Sequence, residues 1–190
     1  MEKPFRILAF AGSLRKGSYT KALVRAAVEI APQSVAMEVF DLDGIPPFNQ
    51  DIEKTPLTAV VEFKQKIRNA DALLIATPEY NYSIPGVLKN AIDWASRPYG
   101  DNALADKPVA IMSASTGMLG GARAQYHLRQ SFVFLNMHPV NKPEVILPFA
   151  AQNVDTNGKL TNEQTKTLIK QLIEALVEWT NKLNCTSQKK

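Results

Sequence analysis

The chain has 190 residues, 45% hydrophobic and 21% charged, with a formal net charge of +4, ordinary values for one soluble globular domain with a full core. No apolar run reaches the ~18 residues that cross a bilayer, no basic run offers a nucleic-acid surface, and Met1 to Pro4 lead straight into the first apolar segment, leaving no room for a signal peptide. The single cysteine, Cys185, excludes an intrachain disulfide, two histidines give no credible metal set, and a cytoplasmic location is expected.

Residues 5–11 read as a buried strand. They run into Gly12, Ser13, Leu14, Arg15, Lys16, Gly17, Ser18, Tyr19 and Thr20, after which Leu23, Ala26, Ala27 and Ile30 recur at helical spacing. A strand, a tight Gly/Ser loop and a helix start make an anion cradle, with free N–H groups and roughly half a positive charge at the helix N-terminus. Ser13, Ser18 and Thr20 add hydroxyls, and Arg15 adds a planar fork of N–H groups. Gly12 and Gly17 keep the spacing of a Walker loop, but Ser18 and Tyr19 replace its Lys and Ser/Thr, so nucleoside triphosphates are not expected. No G-x-G-x-x-G fingerprint follows the strand. What remains suits a single terminal phosphate, or a plain strand-to-helix turn with capping serines.

A second strand is expected at 35–40. Thr55 reads as an N-cap with Pro56 at the first helical position, and Val60, Phe63 and Ile67 continue that helix. A third strand, 72–77, leads into Pro78, Glu79, Tyr80, Asn81, Tyr82, Ser83, Ile84, Pro85 and Gly86. The prolines stiffen this loop; its peptide groups can meet the edge of a flat heterocycle and its tyrosines can supply a wall, or they are surface aromatics or subunit contacts. Pro85 opens a helix through Ala91, Ile92 and Ala95. After a strand at 109–113, Ser115, Thr116, Gly117, Met118, Leu119, Gly120 and Gly121 form a loop whose three glycines allow close backbone approach to a ligand or unusual φ, or simply a flexible connector. A helix over 123–135 turns Leu128, Phe132 and Leu135 inward. A fifth strand, 144–147, and a surface loop, 152–158, precede a last helix. That helix starts at Thr161, which forms a capping box with Gln164, and carries the stripe Leu168, Leu172, Leu176, Trp179 and Leu183. Residues 184–190 read as a frayed tail after a single domain over 1–183.

Five strands alternating with five helices predict an α/β fold, a three-layer sandwich with a parallel sheet and helices on both faces. In a doubly wound sheet of order 2-1-3-4-5, strands one and three are neighbours, and the crevice beyond their carboxyl ends is the switch point where ligands bind. The loops after strands one, three and four then shape one pocket, with a phosphate at one end and a flat ring in the middle. Those are the demands of flavin mononucleotide, FMN.

The same residues, with the run Leu88, Lys89, Asn90, Ala91, Ile92, Asp93, Trp94 and the run from Gly120 to Gln130, resemble the NAD(P)H-dependent FMN reductases, more closely the bacterial quinone reductases also known as chromate reductases. The likeness covers about residues 5 to 150. It implies a flavodoxin-like fold with bound FMN, and NADPH or NADH as co-substrate. It implies that Ser13, Arg15, Ser18 and Thr20, with Tyr19 beside them, hold the phosphate. Pro78, Glu79, Tyr80, Asn81, Tyr82 and Ser83 would line the ribityl chain and ring, and Ser115, Thr116 and Gly117 would approach the ring. Thr20 departs from the asparagine of many relatives. Met118 and Leu119 fall where the nicotinamide or quinone would touch. The resemblance further implies a homodimer or homotetramer with Tyr82, Arg123, Tyr126 and Glu144 at subunit contacts.

On this reading hydride passes from NAD(P)H to the flavin and on to a quinone in ping-pong order, with chromate, azo or nitro compounds reduced adventitiously. No protein acid or nucleophile is required, so His127 and His138 are read as structural and Cys185 as peripheral. Two alternatives are a flavodoxin-like electron carrier, which usually has an acidic docking face where this chain is net basic, and a non-catalytic FMN-binding sensor.

Overall fold

The computed structural model describes residues 4–187, with side chains described through Cys185. Six parallel strands form one sheet in the order β2-β1-β3-β4-β5, and β6 also pairs with β4. The strands are β1 (Phe5–Ala11), β2 (Val35–Phe40), β3 (Ala72–Thr77), β4 (Pro108–Ala114), β5 (His138–Pro139) and β6 (Val145–Leu147). The order 2-1-3-4-5 is therefore present, with one addition. The strand expected at 144–147 is β6, and the addition is the two-residue β5; β5 meets the start of β4 and β6 its end.

Side-chain alternation along the central strands divides the core into two layers. Ile7, Ala9 and Ala11 of β1, Leu74 and Ala76 of β3 and Met112 and Ala114 of β4 face α1 (Tyr19–Ile30) and the last helix, α6 (Glu163–Ser187). Leu8, Phe10, Leu73, Ile75 and Ile111 face the other way, onto α2 (Thr58–Asn69), α3 (Gly86–Ala95) and α4 (Ala122–Leu135). Helices thus cover both faces, and β3 and β4 are buried throughout. That double coverage is why their sequences are continuous apolar runs rather than alternating ones.

Helix boundaries depart from expectation where a cap was misread. α2 begins at Thr58 with Leu57 before it and no side-chain cap, so Thr55 and Pro56 lie upstream of the helix. Thr161 does not cap α6. Asn162 does, its Oδ1 accepting the Thr165 N–H at 2.8 Å. On α6, Leu172 and Leu176 are buried as read, together with Ile169 and Ile173, which the stripe omitted. Trp179 stays 37% exposed and donates its indole N–H to the His138 carbonyl at 3.1 Å, tying α6 to β5. α6 runs through Ser187, so the segment expected as a tail at 184–190 begins as helix, and 188–190 lie outside the described residues. Within the expected surface loop 152–158 the chain opens on a four-residue helix, α5 (Ala150–Asn153). Among the described residues no helix is long and apolar enough to cross a membrane.

Candidate functional site

The carboxyl ends of β1, β3 and β4 open onto a cleft of about 370 Å³, within the ~300–1,000 Å³ of small-molecule sites. Its floor and walls come from the three loops singled out in the sequence.

The first loop contributes Ser13, Arg15, Ser18, Tyr19 and Thr20. Ser18 is the N-cap of α1, accepting the Lys21 N–H at 3.4 Å. Its hydroxyl also meets that of Thr20 at 2.9 Å, and both residues are buried. Each hydroxyl carries one proton, and their mutual bond uses one of the two. One O–H therefore remains for a ligand, whichever residue donates. Tyr19 and Thr20 open α1, so their N–H groups have no partner within the helix. The Arg15 guanidinium lies 5.0 Å from the Tyr19 ring centroid, a cation–π contact that braces it beside the helix start. Gly12 donates to the Ala76 carbonyl at 2.8 Å, locking this loop to the end of β3. A side chain at Gly12 would stand 3.0 Å from Leu88 Cβ, so glycine lets α3 close up against the loop.

From the second loop Pro78, Glu79 and Tyr80 line the cleft, but Asn81, Tyr82 and Ser83 do not. The reason is a tight hairpin turn. Tyr80 and Ser83 exchange both backbone hydrogen bonds, at 3.0 and 2.9 Å, and the two residues between them, Asn81 and Tyr82, have φ of 49° and 67°. Two successive left-handed residues define a type I′ turn, which favours Asn followed by Gly. Tyrosine at the second place costs about 1–2 kcal/mol of backbone strain. The turn carries Tyr82 out to the surface, where its ring receives the Arg123 guanidinium at 3.5 Å.

Glu79, expected along the flavin, spends its carboxylate elsewhere. Its Oε1 accepts from Arg123 Nε at 2.6 Å, and its Oε2 lies 3.4 Å from the Ala124 N–H. α4 has Gly121 at its N-cap and no capping side chain of its own, so Glu79 supplies the anion that its N-terminus favours. The pair raises the Arg123 pKa and keeps the guanidinium charged. One turn along α4, His127 Nδ1 stands 3.0 Å from Ser83 Oγ.

Ser115 and Thr116 of the third loop line the cleft, as does Ala114, which falls between the expected strand 109–113 and the expected loop; Gly117 does not line it. Ser115 Oγ accepts the Gly117 N–H at 2.9 Å. The other two glycines serve packing. A Cβ on Gly120, at φ 58°, would fall 2.6 Å from Ile146 Cγ2, and one on Gly121, at φ 89°, 2.9 Å from Ser113 Cβ. Their bare backbones let α4 start hard against β4 and β6. Met118 and Leu119, which follow in the same loop, are exposed, at 72% and 44%. On α3, Asn90 and Trp94 both donate to the Pro46 carbonyl at 2.8 Å. Among the described residues no group of three or more His, Cys, Asp or Glu is placed to hold a metal.

The family model for NADPH-dependent FMN reductase matches residues 5–152. The chain belongs to this family. It is 48% identical over 184 residues to an NAD(P)H-dependent FMN reductase of Pseudomonas aeruginosa, covering 96% of this chain and 99% of that one. It is 41% identical over 185 residues to a quinone reductase of Pseudomonas putida, covering 97% and 98%. Its structure is similar to that of the flavoenzyme NAD(P)H:(acceptor) oxidoreductase of Paracoccus denitrificans, with a TM-score of 0.85, 32% identity and coverage of 94% and 98%.

The donor set fits FMN. A phosphate needs N–H and O–H donors and a cation, and the Ser13, Arg15, Ser18 and Thr20 loop presents these and no carboxylate. A flat ring needs stiff walls, which Pro78, Tyr80 and Ser115 offer across the cleft.

Proposed function

We propose that the protein is a flavin-dependent NAD(P)H oxidoreductase that reduces quinones, carried by one domain and acting in the cytoplasm. The observation that carries this reading is the single cleft in which a cationic, hydroxyl-rich helix start faces a rigid tyrosine turn across the switch point of the sheet. The chemistry that bound FMN supplies is two-electron transfer, a hydride taken from a nicotinamide and passed to an acceptor.

The residues bind and orient. Arg15 and the α1 N-terminus neutralise the phosphate, and the Ser18–Thr20 pair offers it one hydroxyl proton. Pro78 and Tyr80 wall the ring on one side and Ser115 and Thr116 approach it from the other. Met118 and Leu119 give the opening an apolar lip suited to quinones. Reductant and acceptor reach that one opening in turn, so initial-rate plots against either substrate are parallel, the pattern of ping-pong kinetics. Chromate, azo and nitro compounds are reduced at the same opening as adventitious acceptors.

Assembly is as a homodimer or homotetramer. Tyr82, Tyr126 and Glu144 are exposed and make the subunit contacts, with Arg123 reaching them from its place on Glu79 and Tyr82. Val133 and Phe134 of α4, 82% and 83% exposed, extend the face that a second copy covers.

The test is to purify the protein, measure its bound flavin, and follow NADPH and NADH oxidation with a panel of quinones. Yellow protein with quinone-dependent turnover is expected. Flavin-loaded protein that oxidises neither nicotinamide would replace the enzyme by an electron carrier or sensor.

A further inference from the structure

We infer that Arg123 and His127, one turn apart on α4, clip the Tyr80–Ser83 turn and so position the wall against which the FMN ring packs. The inference rests on the FMN reading above and adds to it a pair of positioning residues that never touch the cofactor cleft themselves.

Residues four apart on a helix share a face, and the two contacts fall on the two ends of the turn. Arg123 holds Glu79, the residue before the turn, through Nε to Oε1 at 2.6 Å and a second contact from Nη2. His127 holds Ser83, the last residue of the turn, at 3.0 Å. Between them the Arg123 guanidinium carbon sits over the Tyr82 ring, 3.5 Å from its centroid. Each of these contacts is non-local, joining residues about 40 or more positions apart. Within the turn, the Tyr80–Ser83 hydrogen bonds act against the left-handed φ of Asn81 and Tyr82.

A turn with tyrosine where glycine is favoured persists only if its surroundings over-determine it, and α4 is what surrounds it. α4 is itself fixed to the sheet. Gln125, fully buried between Arg123 and His127 in sequence, donates from Nε2 to Ser113 Oγ and to the Val145 carbonyl, both at 2.9 Å. The turn is therefore referenced to β4, the strand whose end forms the opposite wall. Because Glu79 and Tyr80 line the cleft, releasing the clip moves the wall.

The experiment compares wild type, Arg123→Met, Arg123→Lys and the double variant Arg123→Met/Tyr82→Gly. Flavin-free protein is titrated with FMN by fluorescence quenching, and amide hydrogen exchange at Tyr80 and Ser83 is read without flavin. Arg123→Met is expected to weaken FMN binding about tenfold and to speed exchange at both amides. Arg123→Lys keeps the charge but not the flat fork and recovers part of each. Tyr82→Gly supplies the residue a type I′ turn favours, so the double variant regains protection and binds within about threefold of wild type. Binding by Arg123→Met within about twofold of wild type would overturn the clip. A loss that Tyr82→Gly fails to recover would also overturn it, making Arg123 a general support of α4. If wild type takes up no FMN, the cofactor reading fails, and the amide exchange still decides the clip.

Discussion

The loop after β1, proposed above to hold the phosphate, and the tyrosine turn line one cleft, yet they are held in different ways. The first is nearly self-contained. Ser18 caps its own helix, its hydroxyl meets Thr20 two residues on, and Arg15 rests near Tyr19. The second depends on a helix that follows it by some forty residues, through Glu79 to Arg123 and Ser83 to His127, each 44 positions apart. Local determination makes a motif that can be read in a single pass along the chain. Non-local determination makes geometry that the segment does not encode, and leaves it open to adjustment from α4.

The largest way to break this contrast is Gly120→Ala. At φ 58°, with Ile146 Cγ2 2.6 Å and the Pro148 nitrogen 2.8 Å from an added Cβ, it combines left-handed strain with overpacking at the start of α4. It should cost about 2–4 kcal/mol in denaturant unfolding and loosen the tyrosine turn more than the phosphate loop, as amide exchange would report. Arg15→Ala should act the other way. It removes a charge-assisted contact worth about 1.5–3 kcal/mol, so FMN binds ten- to a hundredfold more weakly in a calorimetric titration, while the flavin-free protein melts as before. Unchanged affinity would detach the phosphate from this loop.

Ser18→Ala removes the N-cap of α1 and should lower stability by about 1 kcal/mol in urea unfolding, with the tyrosine turn unaffected. The smallest effect is expected far from both loops, at Asp101. Hydrogen bonding to Lys64 Nζ at 2.6 Å lowers its pKa from 3.8, against the opposing effect of partial burial. A carboxyl with a depressed folded pKa lends its stability above the unfolded value and loses it as pH falls through the folded one. Asp101→Asn should therefore melt slightly below wild type above pH 3.8, the gap closing in more acidic buffer. Half exposure of Asp101 keeps the difference small through solvent screening.

Much of this molecule was legible in its sequence because burial dictates it. Ala72–Thr77 reads as a strand since all six residues are covered on both faces, and Leu128, Phe132 and Leu135 announce the inner face of α4. That Ser13, Arg15, Ser18, Tyr19 and Thr20 share one cleft was legible because they are nearly contiguous. Caps were harder, for Thr55, Thr161 and Asn162 are all good N-cap types and only the docking of each helix selects among them. β6 was legible because Val145–Leu147 is apolar, and β5 was not because His138–Pro139 is short and not apolar. The resemblance implies that Asn81, Tyr82 and Ser83 line the ribityl chain and ring, whereas only Pro78, Glu79 and Tyr80 of this loop line the cleft. The overlooked cue was Asn81 at the first central place of a two-residue turn, which favours left-handed backbone. Glu79 gave no cue, since an acid reading the start of a distant helix looks like any loop carboxylate.

The two short strands beside β4 have a consequence for unwanted pairing with other chains. A parallel sheet that ended in one long strand would present a continuous row of unpaired N–H and C=O groups, a template for pairing with another chain and so for aggregation. Here that margin is interrupted. β5 is two residues long and one of them, Pro139, has no N–H to offer, while β6 is three residues long and lies between Pro143 and Pro148. The exposed Lys142 sits in the gap. On this side the sheet can finish without inviting a neighbour.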